Sequence, residues 1–337
     1  MRKTTRSTNR RKASKGSRAS ASRERARSAA VVRLSPEQER EYRKYSNATF
    51  TRRARAARLL AAAPAAPRHY TVVAEGDSWF DYKPAFLEGV PLIDPGRDLL
   101  GHLQAAGRFS VFRVSKAGDT MENMVYGTAA AGSGPTLRPV ARNEIEDTLE
   151  AIRTKAPDAF LLSAGGNDVA GVELESYLNH ALSGLPSLRD EVVAYELEQY
   201  VSATLSALIE RVRAVNETLP IFLHGYDYSV PDGRGVVRLL DWTFVGPWLK
   251  PALVAKRIID PAEGKGLVQT LVDRFNKTLE ALAAAQPGVH YIDLRNTLSS
   301  GLDYRRDWAN ELHATSEGWK KLAQKLQRGM LAVLEQQ

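Results

Sequence analysis

Five short apolar runs, separated by stretches of helical periodicity, constrain this chain more than any other feature. The runs are Tyr70–Glu75, Phe109–Val114, Ala159–Ser163, Ile221–His224 and Val289–Asp293. Helical apolar spacing marks Arg97–Ala106, Glu144–Lys155, Tyr195–Glu217, Gly266–Ala285 and Ser316–Leu334. In the fourth of these, Leu267, Leu271, Phe275, Leu279 and Leu282 recur at three- and four-residue steps, which builds one apolar helix face. Short apolar strands alternating with amphipathic helices predict a parallel sheet covered on both faces, an α/β fold. Two stretches interrupt the alternation, residues 169–194 and residues 225–262. Each is read as a lid or substrate wall, or equally as a structural excursion.

The charge is divided unevenly. Residues 1–60 hold 19 Lys/Arg against 4 Asp/Glu, whereas residues 69–337 hold 27 against 35. The net +8 of the whole chain is therefore a property of its N-terminal segment, and the body is mildly acidic. Residues 1–35 carry too few large apolar groups to offset ordering entropy and read as disordered. They suit a polybasic arm for nucleic acid or an anionic surface, or a solvated tail with no specific partner. Residues 36–63 read as helical, opened by Ser35-Pro36-Glu37. Pro64 and Pro67 form a linker, which divides the chain into a tail at 1–67 and a body at 68–337. Cysteine is absent, so thiol catalysis and cysteine-ligated zinc are excluded. No His-x-x-x-His or acidic cluster has metal-ligand spacing, and no cofactor is expected. No apolar run of about 18 residues predicts a membrane span. Without a recognisable export signal, the cytoplasm is the expected compartment.

Several strands end in small and polar residues. The first leads into Gly76-Asp77-Ser78, the second towards Gly118, and the third into Gly165-Gly166-Asn167-Asp168. Near the C-terminus comes Asp307-Trp308-Ala309-Asn310-Glu311-Leu312-His313. Ligands of open α/β sheets bind at the carboxyl ends of strands. Acyl transfer requires a hydroxyl nucleophile, an imidazole base, a group that orients the imidazole, and donors for the oxyanion. Ser78, His313, either Asn310 or Asp307, and the Gly118 N–H with the Asn167 amide supply these in turn. Asp77 and Asp168 read as acceptors of turn N–H groups. His224 reads as a satisfied core or rim histidine.

These four blocks, in this order, resemble the SGNH hydrolases, also called GDSL-type esterases and lipases. The resemblance covers roughly residues 70–335. The flanks Gly76-Asp77-Ser78-Trp79-Phe80-Asp81-Tyr82 and Asn310-Glu311-Leu312-His313 resemble one subgroup. It implies a three-layer α/β/α sandwich, flavodoxin-like, and metal-free hydrolysis of a carboxylic ester. The family commonly has aspartate three residues before the histidine, where this chain has Asn310. An amide carbonyl accepts the imidazole N–H but supplies no negative charge. A short acyl group or a carbohydrate ester is the favoured substrate, since no long apolar channel is evident. Trp79, Phe80, Tyr82, Tyr226, Tyr228, Trp242 and Trp248 form either an aromatic wall or ordinary core. The alternative function is a binding protein of the same fold that has lost turnover and is tethered by its basic tail.

Overall fold

The computed structural model describes residues 40, 43–44, 47–48, 50–60, 67–82, 97–141, 144–237 and 244–336. The expected disordered tail and the Pro64 linker lie outside the described residues, as does Trp242. Five strands form one parallel sheet: β1 Tyr70–Gly76, β2 Phe109–Arg113, β3 Ala159–Ser163, β4 Ile221–His224 and β5 Val289–Ile292. Their order is β2-β1-β3-β4-β5, the doubly wound flavodoxin-like arrangement.

All seven residues of β1 are buried, because the strand has neighbours on both sides and helices on both faces. Its pleat divides its side chains. Val73 joins Phe160, Leu162 and Leu223 in one core, and Val72 and Ala74 join Leu161 and Phe222 in the other. The first core is closed by helices α4 Glu144–Lys155, α5 Val201–Val215 and α6 Pro261–Ala285. The second is closed by α2 Leu99–Ala105 and α7 Ser316–Leu334. The result is a three-layer α/β/α sandwich, as expected. α1 (Phe50–Leu60) lies within the expected 36–63 helix and covers the outer edge of the sheet. Asn47 both donates to and accepts from the backbone of Arg113, at 2.9 and 2.8 Å, and so satisfies the free edge of β2. Phe50 meets Phe112 edge-on at 5.5 Å.

Three local departures from expectation have simple causes. Helix α6 starts at Pro261 rather than Gly266, because Asp260 caps it with a 3.0 Å bond to the Ala262 N–H and Pro261 suits the first helical position. The helix expected from Tyr195 starts earlier, over Asp190–Ala194, and passes through a wide, π-type segment at Tyr195–Tyr200 before α5 begins. A further helix, α3 (Met121–Tyr126), was not anticipated. It is capped by Thr120 and ended by the left-handed Gly127, and is too short to show a period in sequence.

Candidate active site

The Gly76↔Ser163 register brings the ends of β1 and β3 level. These two strands flank the point where strand order reverses, the usual ligand crevice of this architecture. Ser78 follows β1 and Asn167 follows β3. Gly76 is required there, since an added Cβ would lie 2.7 Å from the Ser163 carbonyl and 2.8 Å from Phe80. The turn after it is tied by the Asp77 N–H on the Ser163 carbonyl at 3.1 Å and the Phe80 N–H on the Asp77 carbonyl at 3.1 Å. Arg113 supports the same turn from below. Its buried guanidinium donates to the Phe80 carbonyl at 2.7 Å and to both oxygens of Asp98 at 2.5 and 2.8 Å, while Asp98 caps α2.

His313 Nε2 lies 2.8 Å from Ser78 Oγ, and its Nδ1 lies 3.0 Å from Asn310 Oδ1. The same Oδ1 accepts the backbone N–H groups of Leu312 (3.0 Å) and His313 (2.9 Å), so it is the carbonyl end of the amide. Nδ1 must then carry the hydrogen, which leaves Nε2 with the lone pair facing the serine hydroxyl. Asn310 Nδ2 donates to the Tyr82 hydroxyl at 3.1 Å. Tyr82 in turn stacks on the imidazole at 4.2 Å, and Trp248 meets it edge-on at 5.4 Å. Burial pushes the His313 pKa down to about 3, and no neighbouring charge offsets the shift. The imidazole is therefore neutral across the ordinary pH range.

Of the two candidates for orienting His313, only Asn310 reaches it. Asp307 turns away: its carboxylate accepts Lys321 Nζ at 2.6 Å and the Ser299 N–H at 2.8 Å. The cause is local. Trp308 and Ala314 form an antiparallel bridge, which closes residues 309–313 into a tight loop with Asn310 inside it. Glu311, also buried, accepts four N–H groups from the second insert, those of Gly233, Trp248, Leu249 and Lys250. That insert is thereby fastened to the histidine loop.

Asn167 and Ser78 line one cavity of about 90 Å³. One N–H of the Asn167 amide donates to the Asp119 carbonyl at 2.8 Å. Gly118 sits in the exposed turn just before Asp119, with φ of +84°. This turn is held to the segment that carries Ser78 by the Lys116 N–H on the Gly76 carbonyl at 2.8 Å and the Ala117 N–H on Asp81 at 3.3 Å. Gly118 is not among the residues lining the cavity. Asp77 accepts a turn N–H, from Trp79, whereas Asp168 accepts the N–H of Met121 at the start of α3. Burial raises both carboxyls, Asp168 to about 7. His224 is a core residue, held by the Gly225 carbonyl at 2.9 Å and pushed down to about 4 by burial.

The aromatic residues divide between the two expected roles. Phe80 is core, Trp79 is buried but also lines the cavity, and Tyr82, Tyr226 and Trp248 face the site. Sequence reasoning missed one connection. The Tyr226 hydroxyl donates to Asp77 Oδ2 and accepts the Gly166 N–H at 2.8 Å. It links the residue before Ser78 to the residue before Asn167. Among the described residues, no three His, Asp or Glu side chains group to hold a metal.

A serine, a neutral imidazole with its lone pair on that serine, and an amide that shares a cavity with the serine, set at the carboxyl ends of a doubly wound sheet, suit serine-hydrolase chemistry. The chain belongs to the GDSL-like Lipase/Acylhydrolase family, whose model matches residues 111–321. The match starts beyond Ser78, so the place of that serine rests on the geometry. Solved structures similar to the chain include a family 3 carbohydrate esterase from Clostridium thermocellum, at 15% identity and TM-score 0.41 over 80% of this chain and 98% of that one. An extracellular lipase from Streptomyces rimosus is similar at 15% identity and TM-score 0.42, over 79% and 98%. The lipase Lip_vut3 from a goat rumen metagenome is similar at 15% identity and TM-score 0.43, over 78% and 99%. No curated protein matches the chain.

Proposed function

We propose that the protein hydrolyses a carboxylic ester through an acyl-enzyme on Ser78. The observation that carries this reading is the 2.8 Å approach of Ser78 Oγ to a histidine whose other nitrogen is committed to Asn310. Ser78 Oγ attacks the carbonyl carbon, and its proton passes to His313 Nε2. The carbonyl oxygen gains the negative charge. The second hydrogen of the Asn167 amide and the Gly118 N–H are the donors proposed for it. As the intermediate collapses, the ester C–O bond breaks and His313 returns the proton to the departing alkoxide. Water, deprotonated by the same nitrogen, then cleaves the acyl-enzyme to release the acid and restore Ser78.

The apolar lining of the cavity supports an enzyme that works on neutral esters. Intact-mass analysis after treatment with a fluorophosphonate probe tests the reading. A single adduct on the native chain and none on Ser78→Ala is expected. No adduct on a folded native protein refutes it, and favours a binding role for the fold.

A further inference from the structure

The proposed hydrolysis creates a positive charge where no carboxylate meets it. In both acylation and deacylation, His313 carries a proton on each ring nitrogen for the life of the tetrahedral intermediate. Asn310 accepts one of the two N–H groups but brings no charge. The acids of the histidine loop serve other partners. Asp307 holds Lys321 and the Ser299 N–H, and Glu311 holds four N–H groups of the second insert. His313 is itself buried, so bulk water is a poor substitute.

What does meet the imidazole is the face of Tyr82. The two ring centroids are 4.2 Å apart and the planes 21° from parallel. That lies well inside the roughly 6 Å over which an aromatic face attracts a cation. Tyr82 is held in this place from two other directions. Its hydroxyl accepts Asn310 Nδ2 at 3.1 Å, and its ring meets Trp319 of α7 at 6.0 Å. The hydroxyl is not a charged stand-in, because burial raises it to about 12 and keeps it a neutral phenol. The electron-rich ring face is therefore what Tyr82 offers.

We propose that the ring of Tyr82 stabilises the imidazolium of His313 during turnover, a cation–π contact standing in for the carboxylate that Asn310 lacks. The inference rests on the proposed ester hydrolysis and adds a positioning residue to it, one that acts through His313 rather than on the ester. Tyr82 lies four residues after Ser78, so the segment that carries the serine also carries the ring. In a desolvated site such a contact is worth about thirtyfold in rate.

The test separates the ring's electrons from its shape. Tyr82→Phe is the reference, since it drops the hydroxyl bonded to Asn310 and keeps the ring. Phenylalanine carrying one, two and three ring fluorines at position 82 then drains the face with little change in size. The readouts are kcat and kcat/KM for p-nitrophenyl acetate, with Tm for each variant and fluorophosphonate labelling of the native chain alongside. Both rate constants are expected to fall about twofold per fluorine, or about eightfold at three, while Tm stays level. A merely structural role would not follow the fluorine count.

A flat series, from a native enzyme that turns over and labels at Ser78, overturns the role of Tyr82 and leaves the hydrolase reading standing. So does a fall that tracks Tm instead of fluorine number. No turnover and no adduct on the folded native chain overturns both.

Discussion

Replacing Asn310 with aspartate is the most informative single change in this protein. The amide sits where a carboxylate would be easily accommodated. Its Oδ1 already receives two backbone N–H groups and the imidazole N–H, and its Nδ2 faces a tyrosine hydroxyl that can turn to donate instead. A carboxylate there would meet four donors, which offset much of its desolvation. Opposite charges about 4 Å apart at an effective dielectric near 20 attract by about 4 kcal/mol. That attraction would lift the His313 pKa by about three units, from its present value of about 3 to roughly 6. If half of it is realised as the imidazolium forms in the transition state, about 2 kcal/mol, kcat rises about thirtyfold. The assay is the pH dependence of kcat/KM on a chromogenic ester between pH 5 and 9. The native enzyme is expected to show no acid limb near pH 6.5, because its histidine is neutral throughout. The Asn310→Asp variant should be faster above pH 7 and should lose activity below about pH 6 as its histidine takes up a proton. An unchanged kcat with an unmoved acid side would refute the assignment of Asn310 to His313.

Asp307→Asn is expected to leave kcat within about twofold while lowering Tm, because its carboxylate serves Lys321 and Ser299 rather than the histidine; a hundredfold fall in kcat would restore it as the orienting group. Tyr226→Phe removes the hydroxyl between Asp77 and the Gly166 N–H. A buried donor left without a partner costs about 1–3 kcal/mol, and kcat should fall about tenfold with KM little changed. A change in KM alone would show that Tyr226 only contacts substrate. Glu75 is raised by burial from 4.5 to about 7. Folded and unfolded chains are both protonated there below 4.5, and the native state loses stability as pH rises through 7, by up to about 3 kcal/mol. Glu75→Gln should therefore match the native Tm near pH 5 and exceed it near pH 8.5, whereas a difference independent of pH would contradict the cause given.

The sheet was legible because its strands are short and apolar, and because a parallel sheet buries both faces of every strand. Ser78 and Asn167 were legible for a related reason: polar residues after such strands gather at one edge. The choice between Asn310 and Asp307 was not. Both lie within six residues of His313 and both are buried; the Trp308–Ala314 bridge encloses Asn310 with the histidine and leaves Asp307 outside the loop, on Ser299 and Lys321. Tyr226 was visible only as one aromatic residue in an insert. Its role depends on a partner 149 residues away, and such pairing leaves no local pattern. Glu311 stands in the sequence only as one residue of the Asn310–His313 block, whereas its four N–H partners come from the insert that sequence left undecided. The polar side chains that hold the site together are thus the ones whose meaning is set by tertiary contact.

Ser78 and His313, paired in the folded protein, are 235 residues apart in sequence, and α7 follows directly on the loop that carries His313. Trp319 on that helix meets Trp79, the neighbour of Ser78, edge-on at 5.1 Å. A chain emerging from the ribosome therefore presents Ser78 long before His313. Loop closure over such a separation belongs to the late, slow part of folding. On the proposed mechanism, partly made or partly folded copies would carry an inert serine and would neither cleave esters nor become trapped as acyl adducts. Activity would then report that the last helix has docked.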